Sequence, residues 1–133
     1  MTDDTFTWKH EYEIGIEAID LQHHYFVNLV GEFTRHLPDA DHLLQQRLFA
    51  ELNAYAKFHF ISEENLMFRH KYPGLQAHEL QHRTLIDQLS AKQGLFGLKK
   101  LGAGEVIGFL QGWFIGHTTH EDRLFADFLR QQR

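Results

Sequence analysis

A chain of 133 residues suits one domain with a single sizeable core. Its hydrophobic fraction of 43 % and charged fraction of 23 % are those of an ordinary globular protein, and a net charge of -5 argues against nucleic acid or anionic membrane as a partner. There is no cysteine, which excludes disulfides, iron–sulfur clusters and thiolate zinc sites and fits a reducing compartment.

The first stretch, MTDDTFTWKHEYE, is acidic and lacks the apolar segment of a secretory signal. No apolar run reaches the roughly 18 residues of a membrane span. A cytoplasmic location and no membrane span are therefore expected. Residues 1–17 carry Phe6, Trp8, Tyr12, Ile14 and Ile16 among acids and turn formers. An extended arm whose aromatics pack onto the body is expected there, because disordered tails are poor in aromatics.

Residues 18–133 have the periodicity of four helices. The first is expected over Ala18–Leu37, with Ile19, His23, Phe26, Val27, Val30 and Leu37 on one face, ending at Pro38-Asp39. Asp41 is placed to cap the second helix. The stripe there is Leu48, Leu52, Tyr55, Ala56, His59, Glu63, Leu66 and Met67, fading near His70. Tyr72-Pro73-Gly74 then reverses the chain, since proline disfavours helix in the residue before it and glycine permits a sharp turn.

The third helix carries Leu75, His78, His82, Leu85, Ile86 and Leu89 and is expected to end near Gly94. Residues 94–104 hold four glycines and suggest a loop. The fourth helix has Val106, Leu110, Trp113 and His117 on one face, then Phe125 and Leu129. Gly104, Gly108, Gly112 and Gly116 recur along it every fourth residue. Close packing by the N-terminal arm is the expected reason, with a subunit interface as the other reading. The whole predicts an all-α, antiparallel, up-down-up-down four-helix bundle formed as one domain.

Eleven histidines are present, and their positions matter more than their number. His23, His59, His78, His82 and His117 fall inside the apolar stripes, as does Glu63. A lone histidine on such a face is ordinarily a core residue with one hydrogen-bond partner. Five of them with a carboxylate, drawn from four helices, need more than that. Burying an unpaired carboxylate is costly, and no Lys or Arg lies in the stripes of the first three helices to neutralise Glu63. A divalent metal centre removes these costs together. His59/Glu63 and His78/His82 are each four apart, so each pair lies on one helical face.

Asp122 is a seventh candidate. It follows His117 by five residues, which an ideal helix would turn about 140° off the histidine face. A broken or overwound helix between Thr118 and Glu121 is predicted, so that Asp122 can join. Seven donors exceed the needs of one ion with an open position, so two ions sharing bridging carboxylates are expected. Imidazole suits iron, zinc, copper or nickel, and the carboxylates admit iron and manganese. His10, His24, His36, His42, His70 and His120 lie mostly off the stripes and are expected in solvent. Glu64 beside Glu63 points away from the centre, and Asp20 either caps the first helix or hydrogen-bonds His23.

The stretches IGIEAIDLQHHYFVNL, HFISEENLMFRHKYPGLQAHELQH and GWFIGHTTHEDRLFADFL together resemble the bacterial hemerythrins, a non-haem di-iron, oxygen-binding family. The central stretch with its spacings is the most specific of the three. The resemblance implies that His78, His82 and His117 bind one iron and His23 and His59 the other. Glu63 and Asp122 would bridge the two, with an oxo or hydroxo group as third bridge. Dioxygen would bind at the iron carrying two histidines and be reduced there to peroxide. Reversible binding for storage, delivery or sensing is the implied function, rather than enzymatic turnover. A sensing role would require a separate signalling or oxygen-consuming partner. An enzyme acting on peroxide, nitric oxide or dioxygen is the alternative, and a structural zinc site a third. Relatives usually carry isoleucine after the fourth-helix histidine, where this chain has Thr118. Phe26, Phe60, Leu110 and Phe114 are expected to line the pocket.

Overall fold

A computed structural model describes residues 6–37 and 41–132. Among these residues all regular structure is helical. Helix α1 spans Glu17–Arg35, α2 His42–Arg69, α3 Leu75–Gly97, α4 Ala103–Gly116 and α5 Arg123–Gln131. A π-helical turn, His117–Asp122, joins α4 and α5 into one continuous fourth rod. Helix α2 packs on α1 and α3, and α4 closes the ring against both. This is the antiparallel four-helix bundle with an extended N-terminal arm that the sequence predicts. No helix of the described residues is long and apolar enough to cross a membrane.

The helix ends follow local chemistry. Asp41 caps α2 as expected, its carboxylate accepting from the Leu44 amide at 3.1 Å. The predicted stop at Pro38-Asp39 lies outside the described residues. At the far end of α2, Lys71 takes the left-handed conformation (φ 55°), and the Tyr72 amide donates to the Met67 carbonyl at 3.0 Å. The reversal therefore rests on Lys71 rather than on the glycine. Gly74 is needed for its size, since a Cβ there would come within 2.8 Å of the Tyr72 ring. Tyr72 in turn packs on Phe125 and Phe128.

Helix α3 runs three residues past the predicted end, and the loop shrinks to residues 98–102. Phe96 is buried at 5.7 Å from the Phe33 ring and 5.6 Å from Phe49, so the extra turn fills the base of the core. That burial outweighs the roughly 0.5–1 kcal/mol cost of Gly94 within a helix. Lys99, at φ 60°, then closes the helix end.

The arm packs where its aromatics can reach. Phe6 and Tyr12 meet the edge of Phe114 at 5.4 and 5.2 Å, and Trp8 stacks on His24 at 4.9 Å. Asp20 accepts from the amides of Ile14 and Gly15 at 2.9 and 3.1 Å, holding the turn at Gly15 (φ 91°). It thus anchors the arm and is neither a cap at the start of α1 nor a partner of His23. Arg130 donates to the Ile14 carbonyl at 3.2 Å and ties the arm to α5.

The glycine row is not covered by the described part of the arm, from Phe6 onward. Gly104, Gly108, Gly112 and Gly116 are exposed, and a Cβ at any of them would meet nothing within 4 Å. The arm's aromatics instead meet Phe114 and His24.

Candidate metal centre

Five histidines, one glutamate and one aspartate converge in the half of the bundle opposite the Phe33–Phe49–Phe96 cluster. All seven are buried, Glu63 at 1 % and Asp122 at 0 % exposure. Helix α1 supplies His23, α2 His59 and Glu63, and α3 His78 and His82. The π-turn supplies His117 and Asp122. The four-residue spacing in α2 and α3 does what the sequence implies: each helix directs two donors to the same interior volume.

The expected break in the fourth rod takes another form. The rod is neither interrupted nor overwound; it widens. An i→i+5 turn adds a residue to the loop of backbone and brings positions five apart nearly into line. Asp122 Oδ1 thereby reaches 3.2 Å from His117 Nε2.

The seven donors form two overlapping groups. Glu63, His78, His82, His117 and Asp122 make one; His23, His59, Glu63 and Asp122 make the other. In each, one donor atom per residue lies within 4.8 Å of all the rest. The carboxylates are shared atom by atom. Glu63 Oε1 lies 2.8 Å from His78 Nε2 and 3.1 Å from His82 Nε2, while its Oε2 lies 3.5 Å from His59 Nε2. Asp122 Oδ1 lies 2.9 Å from His78 Nε2, while its Oδ2 lies 3.2 Å from His23 Nε2. Each carboxylate thus gives one oxygen to each group.

The electrostatics of this cluster suit bound cations. Burial alone would raise the Glu63 carboxyl, but hydrogen bonds with His59, His78 and His82 hold it well below the usual range. Asp122 is opposed by burial and by Glu63, yet His117, His23 and His78 hold it low as well. Burial would depress the His78 imidazole, but Asp122 and Glu63 push it up to about 9. Both carboxylates are therefore anions in a dry interior. Glu63 Oε2 and Asp122 Oδ2 are fully buried, and no well-formed hydrogen bond reaches either. His23 and His59 bring Nε2 to within 3.0 Å of Nε2, and His82 and His117 to within 3.1 Å. Facing imidazole nitrogens beside orphaned carboxylate oxygens fit a pair of metal ions held between them.

Two of the outer nitrogens have partners, while His23 Nδ1 is buried with none. Gln22 Oε1 lies 2.7 Å from His59 Nδ1, and Glu64 Oε2 lies 2.7 Å from His82 Nδ1. Glu64 faces away from the centre, as its position beside Glu63 implies, and meets the far side of a ring that faces in. Gln22 carries no sequence signal, because its contact crosses from α1 to α2. Of the expected lining residues, Phe60 stacks on His82 at 3.8 Å and Phe114 meets the edge of His23 at 5.5 Å. Phe26 packs behind them on Trp113 and Phe114, and Leu110 belongs to the hydrophobic core. Trp113, assigned above only to the apolar stripe, lies 6.3 Å from His117.

Residues 14–129 match the family model described as the hemerythrin HHE cation binding domain. The chain is 26 % identical over 132 residues to a bacteriohemerythrin of Clostridium acetobutylicum, covering 92 % of this chain and 99 % of that one. It is 29 % identical over 127 residues to a bacteriohemerythrin of Pseudomonas aeruginosa, covering 92 % and 80 %. Its fold matches a crystal structure of a hemerythrin single-site mutant with a TM-score of 0.84, at 22 % identity over 91 % of this chain and 94 % of that one. With a family match that runs from the end of the arm almost to the end of α5, the chain belongs to the hemerythrin HHE cation-binding domain family.

Proposed function

We propose that this protein binds dioxygen reversibly at a non-haem di-iron centre, for oxygen storage, delivery or sensing. The observation that supports this most directly is the division of the two carboxylates. Glu63 and Asp122 each offer one oxygen to the His78–His82–His117 group and one to the His23–His59 group. His78, His82 and His117 would hold one iron, His23 and His59 the other, with both carboxylates as bridges. The group with two histidines offers four donors against five in the other, so an iron held there would keep a coordination position for a small ligand. A bound iron pair supplies the two electrons that dioxygen takes up on binding and returns on release.

The chain's own residues favour binding over turnover. Five imidazoles and two carboxylates give a donor set that is mostly neutral, which favours high-valent iron less than a carboxylate-rich set would. Phe60, stacked on His82, and Phe114, edge-on to His23, shield those two rings from water. Glu63 and Asp122 hold the two halves of the centre at a fixed separation. Among the described residues, the only buried basic groups are the five histidines of the cluster.

The test is optical. The ferrous protein is prepared without air, oxygen is admitted, the visible spectrum is recorded and oxygen is then removed. A coloured adduct that appears and reverses is expected. Irreversible oxidation with peroxide turnover would indicate an enzyme, and an unchanged spectrum would indicate a redox-silent ion. Metal analysis should return roughly two irons per chain, as expected of a paired site. His82→Ala should abolish the pair.

A further inference from the structure

Two of the cluster histidines have outer partners at the same distance but of different charge. His82 Nδ1 meets the Glu64 carboxylate at 2.7 Å, and His59 Nδ1 meets the Gln22 amide oxygen at 2.7 Å. The Gln22 amide nitrogen donates to Ser62 Oγ at 3.0 Å, with its oxygen turned to His59. The Tyr55 hydroxyl donates to the Gln22 carbonyl at 2.9 Å and fixes the backbone there. Phe60, stacked on His82 at 3.8 Å and 5°, holds that ring so that one nitrogen faces the centre and the other faces Glu64.

An imidazole that coordinates through Nε2 carries its proton on Nδ1 and donates it outward. Donation to a carboxylate leaves the ring richer in electrons than donation to a neutral amide. We propose that Glu64 and Gln22 make the two metal positions electronically unequal. Glu64, acting through His82, makes the His78–His82–His117 position favour ferric over ferrous iron. Gln22, acting through His59, leaves the His23–His59 position without that bias. Glu64 is a positioning residue in this scheme: it touches His82 and no metal. Its side chain is 23 % exposed and borders a groove of about 300 Å³ between α2 and α3 that Lys57, Glu79 and Arg83 also line. Partial hydration moderates its influence without removing it, since the contact with His82 is direct.

The inference rests on the iron-ligand reading above, and the experiment separates the two. Glu64→Gln, Glu64→Ala and Gln22→Glu all leave the seven inner donors in place. Each variant is loaded with iron, and its ferrous and ferric affinities are measured by chelator competition. The midpoint for Fe2+ to Fe3+ is measured by mediated titration, each iron giving one electron to the mediator. Glu64→Gln should weaken ferric binding about 10–100-fold. Ferrous binding should weaken less, so the midpoint should move positive. Gln22→Glu should move it negative. If Glu64→Gln, which keeps the shape, behaves as the unaltered protein and only Glu64→Ala loses iron, Glu64 is merely structural and the inference fails. An unaltered chain that binds two irons while no variant moves the midpoint overturns this inference alone. An unaltered chain that fails to bind an iron pair overturns the ligand reading and this inference with it.

Discussion

Asp122 Oδ1 stands 3.2 Å from His117 Nε2, although five residues separate them on one rod. In α geometry the two side chains would diverge by about 140°. The π-turn over His117–Asp122 removes that divergence. Such turns are rare and occur mostly as single insertions at functional sites. Here the turn serves the cluster: without it, Asp122 could not give one oxygen to each group. If iron is held by His117 and Asp122 as proposed, it should stabilise the turn. Stripping iron with a chelator should speed amide hydrogen exchange across residues 117–122 by about tenfold or more. Residues 59–67 of α2, held by ordinary α-helical bonds, should change less. Hydrogen exchange with mass spectrometry distinguishes the segments, and an equal change in both would refute the idea.

The paired charges predict how the iron-stripped protein responds to pH. His78 is raised from 6.5 to about 9, so its pairing contributes fully below about 6.5 and is lost as pH rises through about 9. Glu63 and Asp122 are lowered from 4.5 and 3.8, so their pairing contributes fully above those values and is lost as pH falls through their depressed ones. The Tm of the stripped protein should form a plateau between about 4.5 and about 6.5 and decline toward about 9. Iron at His78 Nε2 would keep that ring neutral, so the alkaline decline should vanish in the loaded protein. Thermal melts of both forms across this range check the prediction. A flat stripped-protein Tm above 6.5 would contradict the pairing of His78.

Thr118 follows His117 directly and is 3 % exposed. If dioxygen binds as proposed, a buried hydroxyl next in sequence to His117 would offer water or a proton a foothold, and both would promote loss of the bound oxygen as peroxide. Thr118→Val keeps the shape and removes the hydroxyl. The oxygenated form of this variant should decay about tenfold more slowly, the effect of ~1.4 kcal/mol on the barrier. The lifetime of the visible band in air measures it. An unchanged lifetime would show that the hydroxyl plays no part.

What the sequence revealed and what it hid have physical causes. The four stripes are legible because burial on a helix repeats every three or four residues. His59/Glu63 and His78/His82 are legible because donor groups on one helical face obey the same period. The end of α3 was hidden because it depends on Phe96 fitting between Phe33 and Phe49, a contact between three helices. The sense of the distortion before Asp122 was hidden because spacing shows only that ideal geometry fails. It does not say whether the helix tightens or widens. Gln22 was hidden because an amide that meets a histidine from another helix leaves no periodic mark.

The exposed glycine row leads to a final prediction about what that face is for. Glycine inside a helix costs about 0.5–1 kcal/mol relative to alanine, and nothing stands within 4 Å of where a Gly108 Cβ would lie. If the face is free in solution, Gly108→Ala should recover that cost. For a chain of this size the Tm should rise by roughly 2–4 °C. If instead the row is where a second copy packs, the added methyl would push the copies apart. The variant would then dissociate at concentrations where the unaltered protein is dimeric. Thermal melts and sedimentation of the same samples separate these outcomes.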